Sequence, residues 1–235
     1  MIAPGIPHEL AGGLPPGVLG FTTTRQAGTF GLAGTDPAGE VIARWGNLRG
    51  ALAPAVGRMA NSAQVHGATV LTYDSEWAGW LRGDAADGHF TMQRGLALAV
   101  SVADCTPVFL AHPSGAVAVL HAGWRGTAAR IVDCGIARFV EKGMEPPDLF
   151  AHLGPSICGK CYEVGPEVHL ALTGRHVAGP GPVDVKAVLV EQLSAAGVSR
   201  VSVSKSCTRC DNDRFFSHRA GDAGRQIGVI LAVAE

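Results

Sequence analysis

The chain has 235 residues, of which 47% are hydrophobic and 17% charged, and its formal net charge is −1. This balance predicts a compact globular protein with a substantial core, and it excludes a whole-molecule electrostatic pull toward nucleic acid or anionic membrane. No run of about 18 apolar residues predicts a transmembrane helix, and MIAPGIPHELAGGLPPG lacks the basic-then-apolar order of a signal peptide. The expectation is a cytoplasmic monomer with neither nucleic acid nor membrane as a partner.

Val18 to Arg25, VLGFTTTR, is predicted as a strand. Ala38 to Val56 is predicted as a helix, weakened by Gly46, Gly50 and Pro54. Ser62 to His66 and Thr69 to Tyr73 are predicted as strands around a Gly-Ala turn. Gly95 to Ala103 is short, apolar and rich in Val and Leu, which predicts a buried strand. PVFLA and AVAVLH flank His112-Pro113-Ser114-Gly115, a hairpin signal. Thr127 to Lys142 is predicted as a helix with Thr127 as its N-cap. The strand DLFAHL, a Gly-rich loop and a helix near Pro166 to Thr173 follow. A helix over Asp184 to Ala196, a strand over Ser199 to Ser204 and a buried strand over Ile227 to Ala234 complete the order. Hairpins mixed with helices predict an α+β or mixed α/β fold, read as one domain over residues 1–235.

The predicted hairpin works as a ruler. With its turn centred at Pro113 to Ser114, Cys105 falls opposite His121 within one residue of register. Directly opposed Cβ atoms lie about 4.5–5.5 Å apart, so a thiolate and an imidazole there can share a metal ion. Pro107 is tolerable near the start of an edge strand. His66 would close its own strand, with Gln64 on the same face by the two-residue period. Two histidines and one cysteine make a zinc set, and three protein ligands leave a fourth position for water or substrate. The competing structural reading makes Cys105 an apolar filler and each histidine a hydrogen-bonded core residue.

His121 leads into Gly123, Trp124, Arg125 and Gly126. The glycines allow close backbone approach, and Arg125 offers a planar fork for phosphate or carboxylate. The helix N-terminus that follows favours an anion as well. Cys158 and Cys161 form one C-x-x-C pair, and Cys207 and Cys210 form another. The pairs lie too far apart for the usual zinc-ribbon spacing, so they are read as structural thiols. A four-cysteine zinc site and a redox pair are the alternatives.

QVHG at Gln64 to Gly67, ADCTPV at Ala103 to Val108 and HAGWRGT at His121 to Thr127 come first in chain order. YEVGPEV at Tyr162 to Val168 and CT…FFSHR from Cys207 to Arg219 come after. In this order the chain resembles the YfiH or laccase-domain family, also called the polyphenol oxidase or peptidoglycan-editing-factor family. The resemblance implies a YfiH-like, cytotoxic-necrotizing-factor-like fold with mixed sheets flanked by helices. It implies zinc, with copper as the alternative, held by His66, Cys105 and His121. It also implies phosphorolysis of adenosine, inosine, guanosine and methylthioadenosine, plus deamination of adenosine, so the partners are purine nucleosides and phosphate. Gln64 and Arg125 fall in matching motifs and are assigned to substrate binding. The Gly- and Asn-rich loop that the family carries after its first strand is shortened here.

The multicopper label fits the chemistry poorly, since nine histidines include no H-x-H pair. Asp104 adjoins Cys105 but points to the opposite strand face, so it is read as orienting the loop. Three rival readings stay open. One is a Cys105–His121 thiol hydrolase acting on cell-wall precursors. Another is a metal-stabilised binding module, and the third is a polyphenol oxidase with a single copper.

Overall fold

The computed structural model describes residues 6–53 and 55–233. Its first strands are β1 (His8–Leu10), β2 (Val18–Thr23), β3 (Arg58–Ser62), β4 (Val70–Tyr73) and β5 (Gly79–Gly83). Next come β6 (Gly88–Thr91), β7 (Leu96–Val102), β8 (Thr106–Ala111), β9 (Val117–Ala122) and β10 (Phe150–Leu153). The last are β11 (Glu163–Val164), β12 (Gly181–Pro182), β13 (Arg200–Val203) and β14 (Gln226–Ala232). The helices are α1 (Ala38–Leu52), α2 (Trp124–Ala128), α3 (Ile131–Val140), α4 (Pro166–Thr173) and α5 (Val185–Ala195).

Two six-stranded mixed sheets form the centre. One runs β1-β2-β14-β7-β3-β5 and the other β13-β10-β8-β9-β6-β4. The two-residue strand period explains how they pack. On β7, Leu96, Leu98 and Val100 face the space between the sheets, while Ala97 and Ala99 face outward. On β9, Val117 and Val119 face inward, and Ala118 and Leu120 face the helices. Both faces of these strands are covered, so their sequences read as unbroken apolar runs. The outer face of the first sheet is covered by α1 through Val41, Trp45, Leu48 and Leu52. Trp45 stacks on Trp80 at 4.9 Å, and its indole N–H donates to the Phe30 carbonyl at 3.1 Å. The outer face of the second sheet is covered by α3 and α5.

The mixed α/β class is as expected, and four local expectations are corrected. First, Ser62–His66 and Thr69–Tyr73 are not two strands around one turn. β3 ends at Ser62 in the first sheet and β4 starts at Val70 in the second, so residues 63–69 cross between sheets. Second, β8 is interior, between β10 and β9. Pro107 is tolerated because it sits beyond the end of β10, where only its carbonyl is needed, accepting from Gly154 N–H at 2.9 Å. Third, Thr127 is not an N-cap. α2 starts directly after β9 with Gly123 as its cap, and Thr127 is buried inside it. Fourth, the long helix is broken: Arg130, at φ 60°, separates α2 from α3. The helix expected over 38–56 ends at Leu52, and positions 54 and 234 lie outside the described residues. No helix among the described residues is long and apolar enough to cross a membrane.

His89 on β6 is fully buried, with Tyr73 OH 2.9 Å from Nδ1 and Ser62 Oγ 3.3 Å from Nε2. Burial drives its pKa from 6.5 down to about 3, against the pull of the Asp87 charge. Unfolded, the imidazole titrates near 6.5, so between those values the unfolded chain binds a proton that the folded chain refuses. Stability from neutral His89 is complete above pH 6.5 and is lost as pH falls toward 3. His152, lowered to about 4 by burial, acts in the same direction. The urea midpoint of unfolding should therefore fall steadily below pH 6.5, and His89→Gln should flatten that fall.

Candidate metal centre and its cavity

The segment crossing between the sheets is shaped by one carboxylate. Asp87, at the start of β6 and fully buried, accepts the N–H of Val65 (3.2 Å), His66 (2.9 Å) and Gly67 (2.7 Å). Three successive N–H groups converge on one anion only if the backbone abandons the alternating strand geometry, as in an anion nest. His66 accordingly sits at φ 60°. Its ring meets that of His121 edge-on, with centroids 4.7 Å apart. Asp87 also accepts from His121 Nδ1 at 2.8 Å, while the His121 backbone N–H donates to the Asp87 carbonyl at 2.6 Å. This fixes the ring and leaves Nε2 for the site, the carboxylate–histidine pairing found behind many metal ligands.

Cys105 arrives by a different route from the one the hairpin ruler gives. The register pairs Pro107 with His121, so Cys105 lies ahead of β8 and level with Gly123. A Cβ at Gly123 would lie 2.9 Å from the Cys105 sulfur and 3.2 Å from His66 Nδ1. The missing side chain therefore leaves the space that the Cys105 sulfur and the His66 ring approach. One ligand atom each from His66, Cys105 and His121 lies within 4.8 Å of the others. The sequence-predicted set is assembled, and its donors fit a metal such as zinc. Gly126 plays a related part, since a Cβ there would come within 2.8 Å of the Gly67 carbonyl.

The charges are coupled. Burial raises the Cys105 pKa, but His121 and His66 outweigh it and hold the thiol down to about 6. Burial lowers His121, but Cys105 and Asp87 outweigh it and raise the imidazole to about 9. Burial also pushes Asp87 up, and the hydrogen bonds from His121, Gly67 and Val65 more than reverse it.

The cluster opens on a cavity of about 630 Å³. Its walls carry Arg82, Arg125, Arg219 and Arg225, none of which pairs with a carboxylate among the described residues. The Arg125 guanidinium lies over the Trp124 ring at 4.4 Å, and Arg219 lies over Tyr162 at 5.0 Å. Since α2 is only five residues long, the arginines, not a helix end, make the site basic. The wall acid Asp104, at φ 79°, is fully engaged. It accepts from Thr208 Oγ1 (2.6 Å) and Arg219 N–H (2.7 Å), and its carbonyl accepts from Ile157 N–H (3.0 Å). It orients loops as expected, but from the bend between β7 and β8 and not from an opposite strand face, so it borders the same cavity as Cys105. Gln64 lines the cavity too, but its amide pairs with the Ser101 backbone in both directions, at 2.7 and 2.8 Å. The shortened loop still contributes, through Phe30 to Gly34.

Asp87, Tyr162, His218 and Arg219 were not singled out as site residues by sequence reasoning. The last three lie inside recognised motifs, which was the available signal, whereas Asp87 in AADGHF carries none. The two C-x-x-C pairs also converge. The sulfurs of Cys158, Cys161, Cys207 and Cys210 all lie within 4.8 Å of one another.

Fold and site together define a class: a mixed α/β protein with a two-histidine, one-cysteine cluster at the floor of a basic cavity. Residues 22–233 match the family described as multi-copper polyphenol oxidoreductase laccase, and the chain belongs to that family. A purine nucleoside phosphorylase of Streptomyces coelicolor is 36% identical over 212 residues, covering 85% of each chain. An adenosine deaminase from an unknown prokaryotic organism is 35% identical over 150 residues, 58% of this chain and 57% of its own. The crystal structure of YlmD from Geobacillus stearothermophilus matches with a TM-score of 0.83 at 29% identity, covering 93% of both chains.

Asp87→Asn should weaken metal binding at this centre by about 10- to 100-fold, because the ligand behind His121 loses its charge. The same change leaves a backbone N–H facing an amide N–H, costing about 1–3 kcal/mol of stability. Competition with a chromophoric chelator and urea unfolding measure the two effects. Gly123→Ala should empty the centre while leaving the far-UV circular dichroism spectrum unchanged, since its Cβ intrudes on Cys105 and His66.

Proposed function

We propose that the chain is a zinc-dependent purine nucleoside phosphorylase that also deaminates adenosine. The observation that carries this reading is the meeting of the His66, Cys105 and His121 ligand atoms with a wall of arginines in one cavity. Its volume falls in the range of small-molecule sites, about 300–1,000 Å³. Two imidazoles and a thiolate suit zinc, with copper as the alternative. A metal held there supplies a Lewis acid. The names of the relatives, a phosphorylase and a deaminase, support the two activities.

The remaining work falls to the chain's own residues. Arg125, held over the Trp124 ring, binds inorganic phosphate through its planar fork, with Arg219 in the same cavity. A phosphate oxygen forms a bond to the ribose anomeric carbon as the bond from that carbon to the purine nitrogen breaks. The departing purine carries developing negative charge, which hydrogen-bond donors in the cavity offset. Burial raises the Tyr162 pKa, so its hydroxyl keeps its proton and serves as one such donor. In deamination, water adds to the amino-bearing carbon of adenine and ammonia leaves. Adenosine, inosine, guanosine and methylthioadenosine are the expected phosphorolysis substrates. The same reading takes residues 1–235 as one domain working as a cytoplasmic monomer.

One observation favours a second reading. The low Cys105 pKa beside a raised His121 describes a thiolate–imidazolium pair in metal-free protein, as in a thiol hydrolase.

Zinc-loaded protein incubated with adenosine should give adenine and ribose 1-phosphate only when phosphate is present, and inosine without it. Cys105→Ala should abolish both products. Arg125→Gln should raise the KM for phosphate by about 10- to 100-fold, the worth of a charged hydrogen bond, and spare deamination. Mass spectrometry identifies the products. Free alkylation of Cys105 in protein carrying stoichiometric zinc, with no product above the Cys105→Ala background, would transfer the assignment to the thiol hydrolase.

A further inference from the structure

We propose that Cys158, Cys161, Cys207 and Cys210 form a second metal centre, a closed tetrathiolate zinc site that fastens two walls of the cavity together. The four sulfurs lie within 4.8 Å of one another, and the Cys161 and Cys210 sulfurs are 3.4 Å apart. Zinc–sulfur bonds of about 2.3 Å place tetrahedral sulfurs about 3.8 Å apart, so these positions bracket the geometry of a bound ion.

The topology explains why residues so far apart in sequence meet. β10 and β13 are parallel neighbours, paired from Phe150–Arg200 to Leu153–Val203. Both C-x-x-C loops leave the same ends of adjacent strands, and a parallel bridge joins Ser156 to Cys207. Each loop turns tightly enough to bring both of its sulfurs toward the other pair, with Cys207 buried and Cys210 at the surface.

The surroundings of one sulfur favour its anionic form. The Cys207 sulfur accepts backbone N–H groups from Cys158 (3.2 Å) and Cys210 (3.5 Å). Such donors stabilise a metal-bound thiolate. Four thiolates around one zinc ion carry a net charge of −2, and binding releases a proton from each thiol that was protonated. Lys186 is buried nearby, donating to the Ser204 and Ser206 carbonyls at 3.0 and 3.3 Å. Ser206 adjoins Cys207, so these bonds hold the Lys186 ammonium beside the second pair. Two disulfides would link the same loops, but they would leave the N–H groups aimed at Cys207 without a charged acceptor.

The centre sits behind the cavity. Cys161 immediately precedes Tyr162, and Thr208 within the second pair donates to Asp104, which in turn holds Arg219. Tyr162, His218 and Arg219 line the cavity. The role is therefore positional, and it does not depend on which reaction the cavity hosts.

Zinc content by mass spectrometry, on protein purified under reducing conditions, tests the proposal. Wild type should carry two equivalents per chain. Cys105→Ser should retain one, and so should the Cys161→Ser/Cys210→Ser double variant. Cobalt-loaded Cys105→Ser, in which the four cysteines are untouched, should show intense thiolate-to-cobalt charge transfer and the visible bands of a tetrahedral ion. One equivalent in wild type that disappears in Cys105→Ser would overturn the second centre. So would a cobalt-loaded Cys105→Ser protein without the charge-transfer band, or disulfides joining the pairs in reduced, anaerobically isolated protein.

Discussion

The site depends on a buried carboxylate. Asp87 is wholly removed from solvent, a placement that is costly unless the charge is met by donors. Here three backbone N–H groups and one imidazole meet it. The same set of bonds bends the 65–67 backbone, sets the direction of His66 and fixes the ring of His121. It also ties the segment leaving the first sheet to β6 of the second. One interaction thus links the packing of two sheets to the position of two ligands.

Around that pin the sheets are rigid and the chemistry sits on their loops, a division common to enzymes built on layered scaffolds. Strands buried on both faces leave little freedom at the ends of β8 and β9, where Cys105 and the Gly123 turn emerge. Glycine at 123 gives up a side chain so that Cys105 and His66 can approach each other. Asp104 does for the opposite wall what Asp87 does for the floor. Its backbone and carboxylate hold the loops at Ile157, Thr208 and Arg219 against the strand that delivers Cys105.

The two clusters of metal-ligating residue types have contrasting designs. The His66, Cys105 and His121 set offers three donor atoms and faces a cavity, the pattern expected of an open site. The four-cysteine set offers four sulfurs, the number a closed site needs. Basic side chains line the cavity wall, and the aromatic rings beneath Arg125 and Arg219 position two guanidinium groups without neutralising them.

Much of this was legible in the sequence. Apolar runs bounded by turn residues located β7, β8, β9 and β14, because strands covered on both faces carry no polar alternation. The helices expected near Pro166 to Thr173 and over Asp184 to Ala196 match α4 and α5 nearly to the residue, and Pro166, Gly174 and Asp184 sit at their ends as local start and stop residues. Five ordered motifs marked the family, and three of them carry His66, Cys105 and His121, whose ligand atoms the fold brings together. Only the tertiary structure decided the rest. The strand expected at Ser62 to His66 was undone by Asp87, more than twenty residues away, because a buried anion outcompetes a local extended preference. The break at Arg130 and the interior position of β8 likewise appear only in the folded chain. Spacing argued against joining the two cysteine pairs, yet parallel pairing of β10 and β13 brings them together. A sequence encodes local propensity and burial residue by residue, whereas convergence of distant side chains depends on which strands become neighbours, and that is settled by the packing of the whole chain.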